Sequence, residues 1–196
     1  MGIRNVKQYI ESIRDGRTVY FEGEKVEDVA TYPKLRAAVQ TCAMYYILEN
    51  DPRYSDLLTA RMENGEVVPF IFVPARRSED LLRRREIITF LARTCLGFTA
   101  GGLAGCDVLS ALTVVSKKMD RELGSDYSDR VEAYRKSLLK NDLVIVPAMT
   151  DVKGDRSLRP SDQKPHKDFY VRIVDERPDG IVVRGAKFHI TRAPIS

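Results

Sequence analysis

The sequence predicts an α+β protein in which a mostly helical domain precedes the beginning of a β domain. Apolar residues recur at helical spacing through most of the first 140 residues, whereas short β-prone segments follow one another after Asn141. An apolar fraction of 43% in a chain of 196 residues is enough to bury a core. We therefore expect a helical domain with two small β-hairpins over residues 1–140 and an incomplete β domain over residues 141–196.

The first elements are a short helix, a hairpin and a longer helix. The apolar positions of the short helix are Val6, Tyr9, Ile10 and Ile13. Two β-prone segments, residues 18–21 and 25–28, flank a turn and predict the hairpin. The longer helix begins near Pro33 and ends at Asn50-Asp51-Pro52. Its expected core face consists of Leu35, Val39, Cys42, Ala43, Tyr46 and Ile47.

A second β-prone pair is expected around Val67 to Val73. A long helix then runs from Ser78 to Ala92 or beyond, with acidic residues in its first turn that complement the helix dipole. The glycine-rich stretch 97–105 interrupts it, since each glycine costs a helix about 1 kcal/mol relative to alanine. We expect a break or a very close helix contact there. Helical spacing resumes over residues 108–124 and 129–139.

The C-terminal third predicts strands at Leu143–Val146, at Phe169–Val174 and at Gly180–Thr191, the last with a kink at Gly185. Asp179-Gly180 supplies the hairpin turn between the last two. Two or three strands leave sheet edges with nothing visible to pair them, which suggests an incomplete domain.

Composition excludes several classes of function. The net charge of +4 is too small and too dispersed for a nucleic-acid surface. The sequence has neither a secretory signal nor the roughly 18 consecutive apolar residues of a membrane span, so we expect a cytoplasmic protein. Cys42, Cys95 and Cys106 lie in apolar helical patterns and are expected to be reduced and buried.

The loop at residues 148–156 is the best candidate for chemistry. Gly154 permits close approach of a ligand, and Lys153 and Arg156 can meet an anion such as the pyrophosphate of a dinucleotide. A solvated turn has the same composition, and on these residues alone it is the more common outcome.

Two strings carry a family resemblance. Ala-Met-Thr-Asp-x-Lys-Gly-Asp-Arg-x-Leu-x-Pro-Ser at 148–161 and Asp-Gly-Ile-Val-Val-Arg-Gly-Ala-Lys at 179–187 resemble the flavin-binding segments of the 4-hydroxyphenylacetate 3-hydroxylase and 4-hydroxybutyryl-CoA dehydratase superfamily. The likeness is closest to the dehydratase branch, covers essentially the whole chain and includes the opening at residues 9–16.

This resemblance implies an acyl-CoA dehydrogenase-like architecture and bound FAD. A helical domain would precede an antiparallel β-barrel, and the C-terminal helical bundle that completes the site would be missing from this sequence. It also implies that an oligomer, or a partner that supplies the missing domain, completes the enzyme.

The resemblance also assigns site residues. Met149, Thr150 and Asp151 would lie along the isoalloxazine. Asp155 and Arg156 would help to hold the flavin or substrate, and Lys153 is a further candidate for cofactor binding. His189 to Thr191 would close over the ring, with Thr191 near flavin N5 as the catalytic candidate. Without the resemblance, Thr191 is an ordinary strand residue and His189 a surface position.

The sequence departs from both branches. The dehydratase branch holds an iron-sulfur cluster through cysteines at positions that are Thr99 and Leu103 here, so neither the cluster nor another metal is expected. The hydroxylase branch carries a phenol-binding string of which only Asp107 remains, expected to be a helix cap, and Pro147 replaces its histidine.

His166 and a run of arginines each have a purely structural interpretation as well as a functional one. His166 is expected to be an exposed loop histidine rather than an acid or base. Arg83-Arg84-Arg85, with Arg76 and Arg77, could attract a CoA phosphate, but such a run is more often the solvated face of a helix.

The resulting functional hypothesis is a flavin-dependent oxidoreductase. It would use FAD that a separate flavin reductase reduces, together with oxygen, on a small aromatic substrate. The alternatives are a cluster-free dehydratase or isomerase of a CoA thioester, and a non-catalytic flavin-binding subunit or fragment.

Overall fold

The computed structural model of the protein describes residues 2–97, 103–164 and 166–196, with the backbone alone for Ala104. Contacts between residues divide the chain into two units. The helical unit comprises Met1–Ile145 and Pro194–Ser196, and the hairpin unit comprises Val146–Ala193.

Six α-helices are described in the helical unit: α1 (Val6–Ser12), α2 (Arg36–Asn50), α3 (Ser55–Leu58), α4 (Ser78–Thr94), α5 (Leu103–Leu123) and α6 (Tyr127–Asn141). A capping box starts α1, because the Asn5 side chain accepts the Gln8 N–H and the Gln8 side chain accepts the Asn5 N–H. Helix α3 was not predicted, since one turn is too short to show a period.

The helical unit also contains two small antiparallel hairpins. β1 (Val19–Phe21) pairs with β2 (Glu24–Val26), as predicted. β3 (Thr59–Arg61) pairs with β4 (Val67–Pro69), so placing the second pair wholly within residues 67–73 was wrong. Proline lacks the N–H that would continue the ladder, and residues Phe70–Phe72 form a buried 3-10 helix instead.

The core of the helical unit lies along the inner face of α2. Val39, Cys42 and Tyr46 are buried there as predicted, and Tyr46 stacks on Tyr9 with ring centroids 5.0 Å apart. Ile47 was assigned to this face wrongly, because it is 51% exposed.

The described ends of the glycine-rich stretch between α4 and α5 show a helix end on one side and a close packing contact on the other. Helix α4 ends at Thr94, and the backbone then turns with φ of 54° at Leu96 and 86° at Gly97. Residues 98–102 of the predicted break lie outside the described residues. Gly105, inside α5, packs so closely against Ile145 that a Cβ there would overlap its side chain.

The hairpin unit contains one two-stranded antiparallel ladder among its described residues. β5 (Arg172–Arg177) pairs with β6 (Gly180–Arg184), and Ile173 faces Val183. Val174 has no partner and forms a β-bulge.

Two predicted strands differ from the structure. Leu143–Val146 is not a strand; Leu143, Val144 and Ile145 pack in the core of the helical unit, where Val144 is buried. The last strand ends at Arg184 and not at Thr191, because Gly185, with φ of 145°, packs directly on the Tyr170 backbone.

The buried thiols match the prediction. All three cysteines are buried, and none forms a disulfide. None of the described helices combines the length and hydrophobicity needed to cross a membrane.

Candidate functional site

The structure brings the two family-like strings together within the hairpin unit. The Phe188 N–H donates to the Thr150 carbonyl at 2.8 Å, and Asp151 and Lys187 form an isolated antiparallel bridge. The side chains of the same two residues form an ion pair, with 2.7 Å between Lys187 Nζ and Asp151 Oδ1. The loop that begins at residue 148 and the segment after β6 are therefore neighbours.

Gln163 stabilises the shape of the loop at residues 148–156 through hydrogen bonds to its backbone. Its side chain is 2% exposed, accepts the Asp155 N–H at 2.9 Å and donates to the Asp155 carbonyl at 2.7 Å. Gly154 packs on Gln163 Oε1 and on the Phe169 ring so closely that a Cβ would overlap both. The glycine thus serves packing inside the loop rather than the approach of a ligand.

The two loop carboxylates are already engaged. Asp155 accepts from both the N–H and the Oγ of Ser157, at 2.9 and 2.7 Å, and these bonds lower the pKa of its carboxyl. Asp151 is paired with Lys187. Neither side chain needs a ligand for its charge, so both shape the loop.

An exposed apolar surface lies beside this pairing. Met149 is 69% exposed and Phe188 is 51% exposed. The Phe188 ring stacks on the His189 ring with centroids 3.9 Å apart and an interplanar angle of 30°. Such a surface suits a flat ring system.

Backbone strain is concentrated in the same region. Lys153, His189 and Arg192 have φ of 76°, 57° and 67°, values that are uncommon for residues other than glycine, although asparagine, aspartate and histidine adopt them more often than the rest. Strained backbone of this kind persists where the surrounding structure enforces it, and it clusters at binding sites. Lys153 and His189 are both predicted site residues.

Thr191 lies in an exposed turn before a 3-10 helix at Ala193–Ile195. Its expected place at the end of a strand was wrong, because the ladder ends at Arg184 and the backbone turns at His189. Arg156 is an exposed cation of the loop, and His166 is exposed as predicted.

Asp168 is a positioning residue that the sequence analysis missed. Its carboxylate pairs with Arg172 at 3.0 Å and with Arg184 at 2.9 Å, and its carbonyl accepts the Ala186 N–H at 3.0 Å. It ties both strands to the segment that leads to Phe188. No motif marks it, because its partners are spread along the chain.

Leu103 and Asp107, two of the positions where the sequence departs from the two branches, lie in the helical unit. Leu103 is buried at the start of α5, and Thr99 lies outside the described residues. The expectation that Asp107 caps a helix was wrong, because Asp107 lies within the first turns of α5. Its Oδ1 is 3.7 Å from Arg84 Nε there.

The arginine run is not a uniformly solvated face. Arg83 donates to the carbonyls of Asp56, Leu57 and Thr59 and stacks over the Phe70 ring at 4.0 Å. Arg84 donates to Ser110 Oγ at 3.0 Å and to the Ile71 carbonyl at 2.9 Å. The interpretation as a solvated helix face holds for exposed Arg85 and is wrong for Arg83 and Arg84.

The family profile described as 4-hydroxyphenylacetate 3-hydroxylase N terminal matches residues 5–196. The chain belongs to this family. The resemblance inferred from residues 148–161 and 179–187 is thereby confirmed.

Relatives in the 4-hydroxyphenylacetate 3-hydroxylase family come from both branches. The 4-hydroxybutyryl-CoA dehydratase/vinylacetyl-CoA-Delta-isomerase of Clostridium aminobutyricum is 37% identical over 190 residues, which are 96% of this chain and 39% of the relative. The 4-hydroxyphenylacetate 3-monooxygenase oxygenase component of Thermus thermophilus is 32% identical over 189 residues, which are 96% of this chain and 38% of the relative.

Solved structures show the same division. A 4-hydroxybutyryl-CoA dehydratase from N. maritimus matches with a TM-score of 0.88 and 33% identity, over 99% of this chain and 38% of that one. The oxygenase component of 4-hydroxyphenylacetate 3-monooxygenase, solved with FAD and 4-hydroxyphenylacetate, matches with a TM-score of 0.76 and 31% identity, over 94% and 38%. The chain thus spans well under half the length of these relatives.

Proposed function

We propose that the hairpin unit forms one wall of an FAD site in a flavin-dependent oxidoreductase. The observation that carries the proposal is the pairing of Thr150 with Phe188, which joins the two family-like strings into one surface. A relative of this fold has been solved with FAD, which supports the choice of flavin.

The residues of the unit fit such a ligand. Met149 and Phe188 offer exposed apolar contacts for the isoalloxazine, and His189 extends this surface. Lys153 and Arg156 would meet the pyrophosphate, the arginine through paired hydrogen bonds. Thr191 would approach the ring edge as the candidate catalytic residue.

Binding of FAD tests this assignment. Titration of the protein with FAD, followed by flavin fluorescence, should show saturable binding. Arg156→Gln should weaken it by about tenfold to a hundredfold, the usual value of a hydrogen bond to a charged group. Arg159→Gln is the matched control, since Arg159 is an exposed cation of the same loop. Equal effects of the two variants, or no saturation, would remove the assignment.

The reaction that we propose first is hydroxylation of a small aromatic substrate. Reduced FAD would supply the electrons for the reaction with oxygen, and a separate flavin reductase would supply the reduced FAD. The apolar side chains of Met149 and Phe188 would exclude water from the ring. Given reduced FAD, oxygen and 4-hydroxyphenylacetate as a test phenol, the complete enzyme that contains this chain should release a hydroxylated product. Oxidation of the flavin without that product would reject this reaction.

A second candidate is a cluster-free dehydratase or isomerase of a CoA thioester. The higher identity and TM-score of the dehydratase relatives favour it. A cavity of about 400 Å³ in the helical unit also favours it, because Arg76, Arg77, Arg84 and Arg135 line it and could hold a phosphate. Saturable binding of an acyl-CoA that Arg84→Gln weakens and Arg85→Gln leaves unchanged would support this candidate. Failure of any acyl-CoA to bind would exclude it.

The exposed β-hairpin leads us to propose a covering partner. Ile173, Ile181 and Val183 lie on one face of the ladder and are 52%, 59% and 54% exposed. Further strands of an acyl-CoA dehydrogenase-like β-barrel, followed by a helical bundle, would cover this face, either from a C-terminal domain or from a partner subunit. In either arrangement we expect the active enzyme to be an oligomer.

A further inference from the structure

A buried acidic cluster in the helical unit has no part in the proposed flavin site. Glu49, in the last turn of α2, is 2% exposed, and Asp142, directly after α6, is 1% exposed. The two carboxyl groups lie within hydrogen-bonding reach of each other. Both carboxylate oxygens of Glu49 and the hydroxyl of Tyr45 are buried and have no hydrogen-bond partner among the described residues.

Asp142 is fixed as the acceptor of the pair. Its Oδ2 accepts the Arg4 N–H at 2.9 Å, and its carbonyl accepts the Tyr46 hydroxyl at 3.0 Å. Its backbone has φ of 45°, a left-handed conformation that aspartate tolerates better than most residues. Asn50 extends the network, because its side chain donates to the Arg4 carbonyl at 2.7 Å.

Two facing carboxylates cannot both be ionised in a protein interior at low energetic cost. The groups near Glu49 are Tyr45 and Tyr46 on α2 and Asp142 after α6, and Arg4 from the N-terminal segment lies beside Tyr46 and Asp142. Arg4 directs its guanidinium to Ser12 Oγ at 3.0 Å, and Glu49 is in no ion pair among the described residues. Burial and the nearby Asp142 charge therefore raise the pKa of Glu49 well above its ordinary value.

We propose that Glu49 is protonated at neutral pH and donates a hydrogen bond to the Asp142 carboxylate. One shared proton then joins α2 to the end of α6. The proton turns an unpartnered buried anion into a hydrogen-bond donor. A metal ion fits less well, because a hard divalent cation takes six to eight oxygen ligands, and no group of three or more acidic, histidine or cysteine side chains suited to a metal occurs in the described residues.

This arrangement makes the helical unit sensitive to high pH. The pKa of Glu49 is raised on folding, so its contribution to stability is complete below its unfolded pKa near 4.5 and is lost as the pH rises towards its folded pKa. In that window the folded state holds one proton more than the unfolded state. Loss of the proton would leave two negative charges side by side, on Glu49 and on Asp142, the residue that directly follows α6.

Urea unfolding between pH 5 and pH 8 tests the proposal. As the pH increases, the equilibrium constant for unfolding of the wild type should rise, relative to that of Glu49→Gln, by up to about tenfold per pH unit. Glutamine keeps a donor towards Asp142, so the variant should fold. Glu63→Gln, an exposed change in the same unit, should keep the wild-type slope. Equal slopes of the wild type and Glu49→Gln would overturn the proposal.

A second measurement observes the proton itself. The infrared difference between the wild type and Glu49→Gln at pH 7 should contain the carbonyl band of a protonated carboxylic acid, and its absence would overturn the proposal. Loss of stability on adding a chelator would also overturn it, since a bound cation would then take the place of the proton.

Discussion

The geometry of the candidate site depends on single residues that hold the loop from within. Gln163 bonds both the N–H and the carbonyl of Asp155, and Gly154 fits only because it lacks a side chain. These residues set where Lys153 and Arg156 emerge. A defect here should therefore move both proposed phosphate contacts together.

Gly154→Ala should destabilise the loop by about 2–4 kcal/mol, because its φ of 53° is unfavourable for alanine and its Cβ would overlap Gln163 and Phe169. Hydrogen exchange of the Asp155 amide reports this change directly. Gly124→Ala is the control, since Gly124 has φ of 66° and open space around it, and should lower the stability of its own turn by only about 1–2 kcal/mol. Comparable local losses for the two variants would contradict the packing role of Gly154.

The sequence analysis pointed to the loop at residues 148–156 but missed the residues that support it from within. Lys153 and His189 were predicted as site residues, and both have left-handed backbone in the structure. Gln163 and Asp168 were not assigned a role, because a buried amide and a carboxylate shared by two arginines depend on contacts between distant positions. Thr191 was misplaced for the same reason, since the end of the ladder depends on how Gly185 packs against Tyr170.

At the scale of elements, Asp120 joins α5 to α6. Its carboxylate accepts from Ser125 Oγ at 2.7 Å and from the backbone N–H groups of Tyr127 and Ser128 at 2.8 and 2.9 Å. It therefore caps α6 from the preceding helix, and Asp126 at the usual cap position makes no such bond. These bonds lower the pKa of Asp120 to about 2.

Asp120→Asn should lower the stability of the α5–α6 pair at neutral pH. Because the pKa of Asp120 is depressed on folding, its contribution is present above the unfolded value of 3.8 and is lost as the pH falls through about 2. The stability difference between the variant and the wild type should therefore shrink between pH 4 and pH 2 in unfolding followed by circular dichroism. Asp129→Asn, in the first turn of α6, should show a smaller change, and a difference that is constant with pH would count against the cap.

Elements with a long apolar period were the most predictable. Helices α2 and α4 appear where the spacing placed them, within a few residues at their ends. The β3–β4 pairing was missed because three-residue strands carry little pattern of their own. The segment Leu143–Val146 was assigned to a strand because buried coil and buried strand have the same composition.

At the scale of the whole molecule, the last residues of the chain belong to the helical core. Ile195 is 1% exposed, and its carbonyl accepts the Tyr9 hydroxyl at 3.0 Å. Arg17 donates to the Ser196 carbonyl at 2.8 Å. Residues separated by nearly the whole sequence thus stabilise one another in the helical unit, a contact that no local pattern could predict.

Ile195→Ala should lower the free energy of unfolding of the helical unit by about 2–5 kcal/mol, because it removes a fully buried side chain and leaves a cavity. Ile181→Ala is the matched control, and its exposed position should keep the change within about 0.5 kcal/mol. Urea unfolding monitored by tyrosine fluorescence measures both. If the two substitutions have the same effect, Ile195 is not part of the core.

The bulge at Val174 determines where the hairpin can change its length. Val174 has no cross-strand partner, so its deletion would join Ile173 to Asp175 while Val183 and Val182 remain opposite them. Removal of any paired residue of β5 would instead rotate the residues on one side of the cut to the other face. The hairpin should therefore tolerate deletion of Val174, although it would lose some of the local twist that a bulge adds.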